Sequence, residues 1–170
     1  MNDGARTRST GTLELFAAPM RGSVEAIYLA VQRGAPRSPV DRVRAVAGCG
    51  LEGDRYCGDA PNGVRRDPER QVTLIEAEAI EAVRVGGVDF APGDARRNVV
   101  TRGVRLNELV GRTFRVGGAT LLGIERCDPC ARLARLTYPG VTRDLRDRGG
   151  LRAEVLTSGE IRIGDAVEAE

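Results

Sequence analysis

The chain has 170 residues, 41% of them hydrophobic, and its 26 arginines exceed its 24 acidic residues to leave a net charge of +2. That length suits one globular domain burying roughly 70% of the surface its unfolded form exposes, while the near-neutral balance, three Phe, three Tyr and no Trp argue against nucleic-acid binding. The absence of histidine and lysine excludes Ser/His and Cys/His nucleophile pairs, imidazole metal ligands, a pyridoxal phosphate Schiff base and a P-loop lysine.

Met1 to Thr12 is polar and has no apolar stretch behind its charges, so residues 1–12 read as a flexible tail and 13–170 as the single domain. No run approaches the roughly 20 apolar residues needed to span a bilayer, and nothing directs export, which places the chain in the cytoplasm. In that reducing setting Cys49, Cys57, Cys127 and Cys130 are expected as thiols, ligands or redox groups rather than structural disulfides.

Val24 to Val31 and Val40 to Ala47 read as strands. A loop rich in Gly, Asp and Arg runs from Gly48 to Glu69. Gln71 to Ile75 predicts a short strand entering a helix over Glu76 to Val83, where Ala and Glu dominate. Further strands are expected at Asn98 to Thr101, Thr113 to Val116 and Ala119 to Glu125, the last two joined by a Gly117-Gly118 hairpin turn. A second hairpin is expected to pair Arg152 to Thr157 with Glu160 to Ile163 across Ser158-Gly159, before a terminal strand Ala166 to Glu168. So many short strands among 22 glycines, with no internal repeat, predict a mainly β fold, a closed or nearly closed barrel with a few short peripheral helices.

Three segments carry the chemistry. In Cys127-Asp128-Pro129-Cys130, Asp128 can cap a helix over Ala131 to Leu136, with Pro129 in its first turn and Cys130 at its second position, where the helix dipole favours the thiolate. A pair of merely packed cysteines is the alternative. A four-cysteine zinc site would need Cys49 and Cys57 as its second pair, and their seven-residue gap exceeds the usual two to four. A thioredoxin-like dithiol wants its motif after the first strand of a βαβ unit, whereas this one follows a late hairpin. In Ala95 to Gly103, Arg96, Arg97 and Asn98 can hold a phosphate and read a heterocycle edge, or form a solvated charged loop. In Gly50 to Tyr56, glycines can expose backbone amides as an anion nest, and an ordinary Gly-Asp turn explains them equally well.

In combination, Gly50-Leu51-Glu52-Gly53-Asp54-Arg55-Tyr56, Arg70 to Glu76, Arg96 to Thr101 and Cys127 to Cys130 resemble, in order and spacing, the MOSC family, the domain related to the C-terminal part of molybdenum cofactor sulfurases. The resemblance covers about Gly22 to Val167 and is strongest to small stand-alone bacterial members. It implies a MOSC-type barrel that binds a molybdopterin-type molybdenum cofactor, with Cys130 as molybdenum ligand or persulfide carrier. Arg96 and Asn98 would hold the pterin and phosphate, with Arg55 and Arg70 as further cofactor contacts. Tyr56 stands where relatives often carry histidine, and Cys57 is unusual.

Relatives similar to the mitochondrial amidoxime-reducing component and to hydroxylaminopurine-resistance proteins reduce N-hydroxylated compounds. The resemblance therefore implies oxygen-atom removal from a small-molecule substrate at a Cys130-ligated molybdenum, with Asp54 or Tyr56 supplying protons and Cys127 as auxiliary thiol or wall residue. No Gly-rich dinucleotide fingerprint follows any strand, so a separate electron-donor protein is expected. The alternatives are a sulfur carrier with a Cys130 persulfide loaded by a cysteine desulfurase, and a non-enzymatic cofactor carrier.

Overall fold

The computed structural model describes residues 20–57 and 65–170, so the tail expected at 1–12 lies outside the described residues. The chain proceeds through β1 (Arg21–Leu29), β2 (Ser38–Val40), β3 (Arg42–Val46), β4 (Gly50–Leu51), β5 (Val72–Glu76), α1 (Ala77–Val85), β6 (Val99–Arg102), β7 (Thr113–Val116), β8 (Ala119–Arg126), α2 (Ala131–Leu136), α3 (Val141–Asp144), β9 (Leu151–Thr157), β10 (Gly159–Arg162) and β11 (Ala166–Ala169). Strands neighbour one another in the order β11-β7-β8-β9-β5-β6-β1-β2, and the additional β11–β1 pairing closes the first seven into a barrel with β2 appended outside. Closure removes the unpaired strand edges that an open sheet would expose. Pro39 sits in the appended strand, where its missing N–H costs little.

The alternation of β5 shows why this barrel carries helices on only part of its surface. Val72 and Leu74 point into the main core with Val24, Ile27, Phe114, Leu121 and Val155, whereas Ile75 points outward. In β6, Val99 likewise faces in and Val100 out. The outward pair meets Ala79, Ile80 and Val83 of α1, Phe90, Val141, Leu145 and Leu133 of α2 in a second cluster. The β5–β6 pair is the parallel one among the paired strands, as expected for two strands joined through a crossover helix. Among the described residues, no helix is long and apolar enough to cross a membrane.

The hairpin expected across Ser158-Gly159 does not form. β9 pairs with β8 and β5, while β10 pairs with β3 in a separate three-stranded sheet, β10-β3-β4. The chain turns beside the Gly117-Gly118 turn, and a Cβ on Gly159 would lie 2.1 Å from the Gly118 carbonyl oxygen, so glycine is required for the crossing. Local turn chemistry reports a reversal but not the partner strand, which Ile161 finds by packing into the barrel core with Val43, Ala45 and Leu51. The loop read from Gly48 to Glu69 also holds the short β4.

A second correction concerns the cysteines. Cys49 and Cys57 form a disulfide, with Cα atoms 5.2 Å apart, leaving Cys127 and Cys130 as the free thiols. Positive φ at Gly48, Gly50 and Gly53 lets the loop double back far enough to bring the two together. The expectation of four unpaired thiols rested on compartment and could not register this reversal. The pairing also removes Cys49 and Cys57 as a second ligand pair for zinc.

Candidate functional site

The three sequence segments converge on one recess of the barrel surface. Its lining includes Tyr56 and Arg55 after β4, Arg70 before β5, Arg96, Arg97 and Asn98 before β6, and Cys127, Cys130 and Arg132 after β8. Ala30, Gln32 and Arg37 after β1, and Arg152 of β9, complete the polar wall. Among the described residues, seven of those lining it are arginine and none is acidic. A chain with net charge +2 thus gathers a large share of its local positive charge around one cavity.

Arg97 binds the segments together. It is 8% exposed, and its guanidinium donates to the carbonyls of Gly149 (2.9 Å), Cys127 (2.9 Å) and Ala95 (3.3 Å). The Cys127 N–H donates to the Gly150 carbonyl at 2.8 Å. Gly150 has φ +113°, and a Cβ there would lie 2.0 Å from the Leu74 carbonyl oxygen, so this junction of the Cys127 loop with β5 admits glycine alone. Arg97 therefore positions the thiol loop with its hydrogen bonds spent on carbonyls, and among the described residues no carboxylate pairs with its charge.

Asp54, beneath the cavity, and Asn98, on its wall, form one hydrogen-bonded layer. Asp54 is 1% exposed; one carboxylate oxygen accepts from the Ala30 N–H (2.8 Å) and Asn98 Nδ2 (2.9 Å), and the other from the Tyr56 N–H (3.2 Å). Arg37 stands 3.7 Å away as its ion partner. Asn98 also donates to the Tyr28 carbonyl (3.1 Å), and its side-chain oxygen accepts from the Thr73 N–H (3.1 Å) and hydroxyl (3.0 Å). Both donors and both lone pairs of the amide are used. Both side chains hold β1, β5 and β6 in register through these bonds, Asn98 from a place on the cavity wall and Asp54 from below it.

Cys130 is the N-cap of α2, which starts at Ala131, so the cap expected at Asp128 moves to the cysteine itself. The N–H of Ala134 returns to the Cys130 carbonyl at 3.1 Å, closing the first turn. Leu133 anchors the helix by burying its side chain in the outer cluster. The thiol is exposed, whereas Cys127 is buried. Burial works to raise the Cys130 thiol, but the amides of Leu133 and Arg132 and the charges of Arg97 and Arg132 outweigh it and hold the thiol below its ordinary value. The thiolate fraction therefore falls only when pH drops through that lowered value. Iodoacetamide at pH 7 should consequently label Cys130 alone and faster than a free cysteine, with the rate midpoint below the ordinary ~8.5; labelling at Cys127 or a midpoint above 8.5 would contradict this electrostatic account.

The remaining arginines crowd one another. Burial pushes the Arg37 guanidinium down to about 10, Asp54 pulls it up, and the charges of Arg96, Arg55 and Arg97 push it down further. Arg96 is lowered by burial and by Arg132 and Arg55, with Asp94 opposing. Arg37 donates to the Arg96 carbonyl at 2.7 Å and Arg96 to the Ala35 carbonyl at 2.8 Å, so the two are locked side by side. Arg96 sits at φ +57°, a left-handed conformation that turns the chain sharply into β6. The Arg55 guanidinium carbon lies 4.3 Å from the centroid of the Tyr56 ring and Arg55 donates to the phenol oxygen at 2.6 Å, fixing both side chains against the cavity. Arg37, Arg132 and Arg152 carry no local sequence signal; Arg132, two residues beyond Cys130 on the same helix start, was the most accessible to sequence reasoning.

A family model described as MOSC domain matches residues 61–168. Among solved structures, the chain is similar to the YuaD protein of Bacillus subtilis, with 21% identity and a TM-score of 0.74 over 89% of this chain and 96% of that one. It is also similar to YiiM of Geobacillus stearothermophilus, with 16% identity and a TM-score of 0.67 over 88% and 75%. YiiM of Escherichia coli gives 21% identity and 0.62 over 89% and 70%. At these identities the likeness carries the fold. No curated protein matches the chain by sequence.

Proposed function

The chain belongs to the MOSC domain family, a family associated with the molybdenum cofactor, and from that premise we propose that it holds this cofactor at Cys130 and reduces N-hydroxylated small molecules. The observation that carries the reading is an exposed thiol in a cavity lined, among the described residues, by seven arginines and no carboxylate.

The residues present fit an anionic pterin cofactor. Among the described residues, the Nε atoms of Arg37 and Arg55 are buried without a hydrogen-bond partner, and an unpaired buried donor costs about 1–3 kcal/mol. Anionic oxygens placed between these arginines and Arg96 would satisfy both and relieve the mutual repulsion, as guanidinium forks do with phosphate. Arg70 extends this set at the outer wall. Cys130 supplies a soft thiolate suited to a molybdenum centre. When bound, the cofactor supplies the two-electron chemistry that side chains lack.

The protein's own residues then bind, orient and protonate. Reduction breaks the N–O bond, takes up two electrons and two protons, and releases the amine and water. Tyr56 is the better placed of the two to give a proton, since it lines the cavity and its phenol oxygen, accepting from Arg55, keeps its own hydrogen to donate, whereas Asp54 is 1% exposed. Electrons come from a separate reductase or small redox protein.

A second reading, a sulfur carrier loaded by a cysteine desulfurase, draws on the same exposed, acidified Cys130, because a thiolate is also what accepts a persulfide sulfur. Molybdenum and pterin content of the protein purified from a cofactor-producing host separates the two. Near-stoichiometric metal with turnover of an N-hydroxylated substrate supports the reductase, metal without turnover supports a carrier of the cofactor, and a Cys130 persulfide without metal supports sulfur transfer.

A further inference from the structure

Outside the Cys130 cavity lies a wider recess of about 430 Å³ walled by Arg33, Arg55, Tyr56, Arg70, Arg132 and Arg152. It shares all of these except Arg33 with the inner cavity of about 190 Å³, so the two spaces adjoin. The inner cavity is smaller than the ~300–1,000 Å³ typical of small-molecule sites. A drug-sized molecule reacting beside Cys130 would reach into the outer recess.

The charge there exceeds what a single phosphate can neutralise. Arg37, Arg70 and Arg152 pair with Asp54, Asp67 and Glu125. Among the described residues, Arg33, Arg55, Arg96 and Arg132 have no carboxylate partner, and Arg97 meets only carbonyls. One phosphate monoester carries about −1.5 to −2, which leaves a surplus of positive charge once the inner arginines are served. Arg33 lines the recess but not the inner cavity, which puts this surplus toward solvent.

We propose that the outer recess binds a second anionic group, the phosphate monoester or carboxylate of an N-hydroxylated substrate, with Arg33 as a specificity-determining residue. The substrate class is then anionic N-hydroxylated compounds rather than neutral ones. This assignment rests on the N-reductase reading of the cavity, whereas anion binding in the recess does not.

Two measurements test it on the cofactor-loaded protein. In calorimetric titration, phenyl phosphate should bind, phenol should not, and the affinity should fall with added salt and drop about tenfold in Arg33→Glu, which replaces attraction by repulsion. With a chemical reductant as electron source, an N-hydroxylated aryl amidine bearing a para-carboxylate should be turned over with a higher kcat/KM than its neutral analogue. Arg33→Glu should abolish that preference through KM and leave the neutral compound unchanged. Equal kcat/KM for the pair in the native protein, or an equal loss of both in Arg33→Glu, overturns the proposal. If phenyl phosphate binds only the cofactor-free protein, the recess serves a phosphate of the cofactor and the proposal also fails. A protein that reduces neither compound yet binds phenyl phosphate through Arg33 defeats the N-reductase reading, while the anion site stands.

Discussion

Cys130→Ser is expected to lose at least about nine-tenths of the bound molybdenum, and with it N-reductase turnover, while melting within a few degrees of the native protein. Serine is the informative substitution because Cys130 is the N-cap of α2 and serine is a better cap than cysteine. The helix start is thus preserved or strengthened, and what disappears is the soft sulfur donor, for which a hydroxyl is a poor replacement at a thiophilic metal. Cys130 is also exposed, so no core packing is lost. Metal analysis and thermal unfolding of the same preparation decide the matter. Full metal occupancy in the variant would remove Cys130 as ligand, and unfolding would show instead that the residue is structural. Cys127→Ser belongs in the same experiment: if it leaves metal and turnover intact, the buried neighbour has no part in the chemistry.

Asp54→Ala should be the most destabilising change near the site. The carboxylate is 1% exposed, satisfies the Ala30 and Tyr56 N–H groups and Asn98 Nδ2, and is the ion partner of a 10% exposed Arg37 side chain. Removing one member of a buried pair costs about 3–5 kcal/mol, because the partner's charge and hydrogen-bond donors stay buried and unsatisfied. For a domain of this length that lowers the melting temperature by on the order of 10 °C. Asp54→Asn keeps the shape and one acceptor oxygen and should fall between the two. A loss below about 1 kcal/mol for the alanine variant would mean that Arg37 and Asn98 find other partners and that Asp54 is not the organiser of this layer.

The strands that became the barrel wall were legible because their signals are local. Thr113 to Val116 and Ala119 to Glu125 meet across Gly117-Gly118 as expected, and the Ala- and Glu-rich stretch after Ile75 forms α1. The β9-to-β10 turn misled for the same reason: Ser158-Gly159 is good hairpin chemistry, and only the packing of Ile161 into the core sends β10 to β3. Tyr56, Arg55, Arg70, Arg96 and Cys130, singled out from the sequence, all line one cavity. Asn98 lines the same cavity with its amide spent on neighbouring strands, while Asp54, of the glycine motif, lies one layer deeper, where its carboxylate holds the fold.

The sequence by itself determined the chemical repertoire. Without histidine or lysine, the site can be made only from thiol, carboxylate, phenol, guanidinium and backbone, and the four ordered motifs identified the barrel family. Tertiary structure alone decided which of those groups face the cavity. Arg37, Arg132 and Arg152 arrive there from the β1–β2 connection, α2 and β9, and Cys49 reaches Cys57 through a reversal of the loop. Convergence of this kind depends on strand order and barrel closure, which are set by long-range burial of apolar side chains, whereas residue types, turns and caps act over a few positions and can be read along the chain.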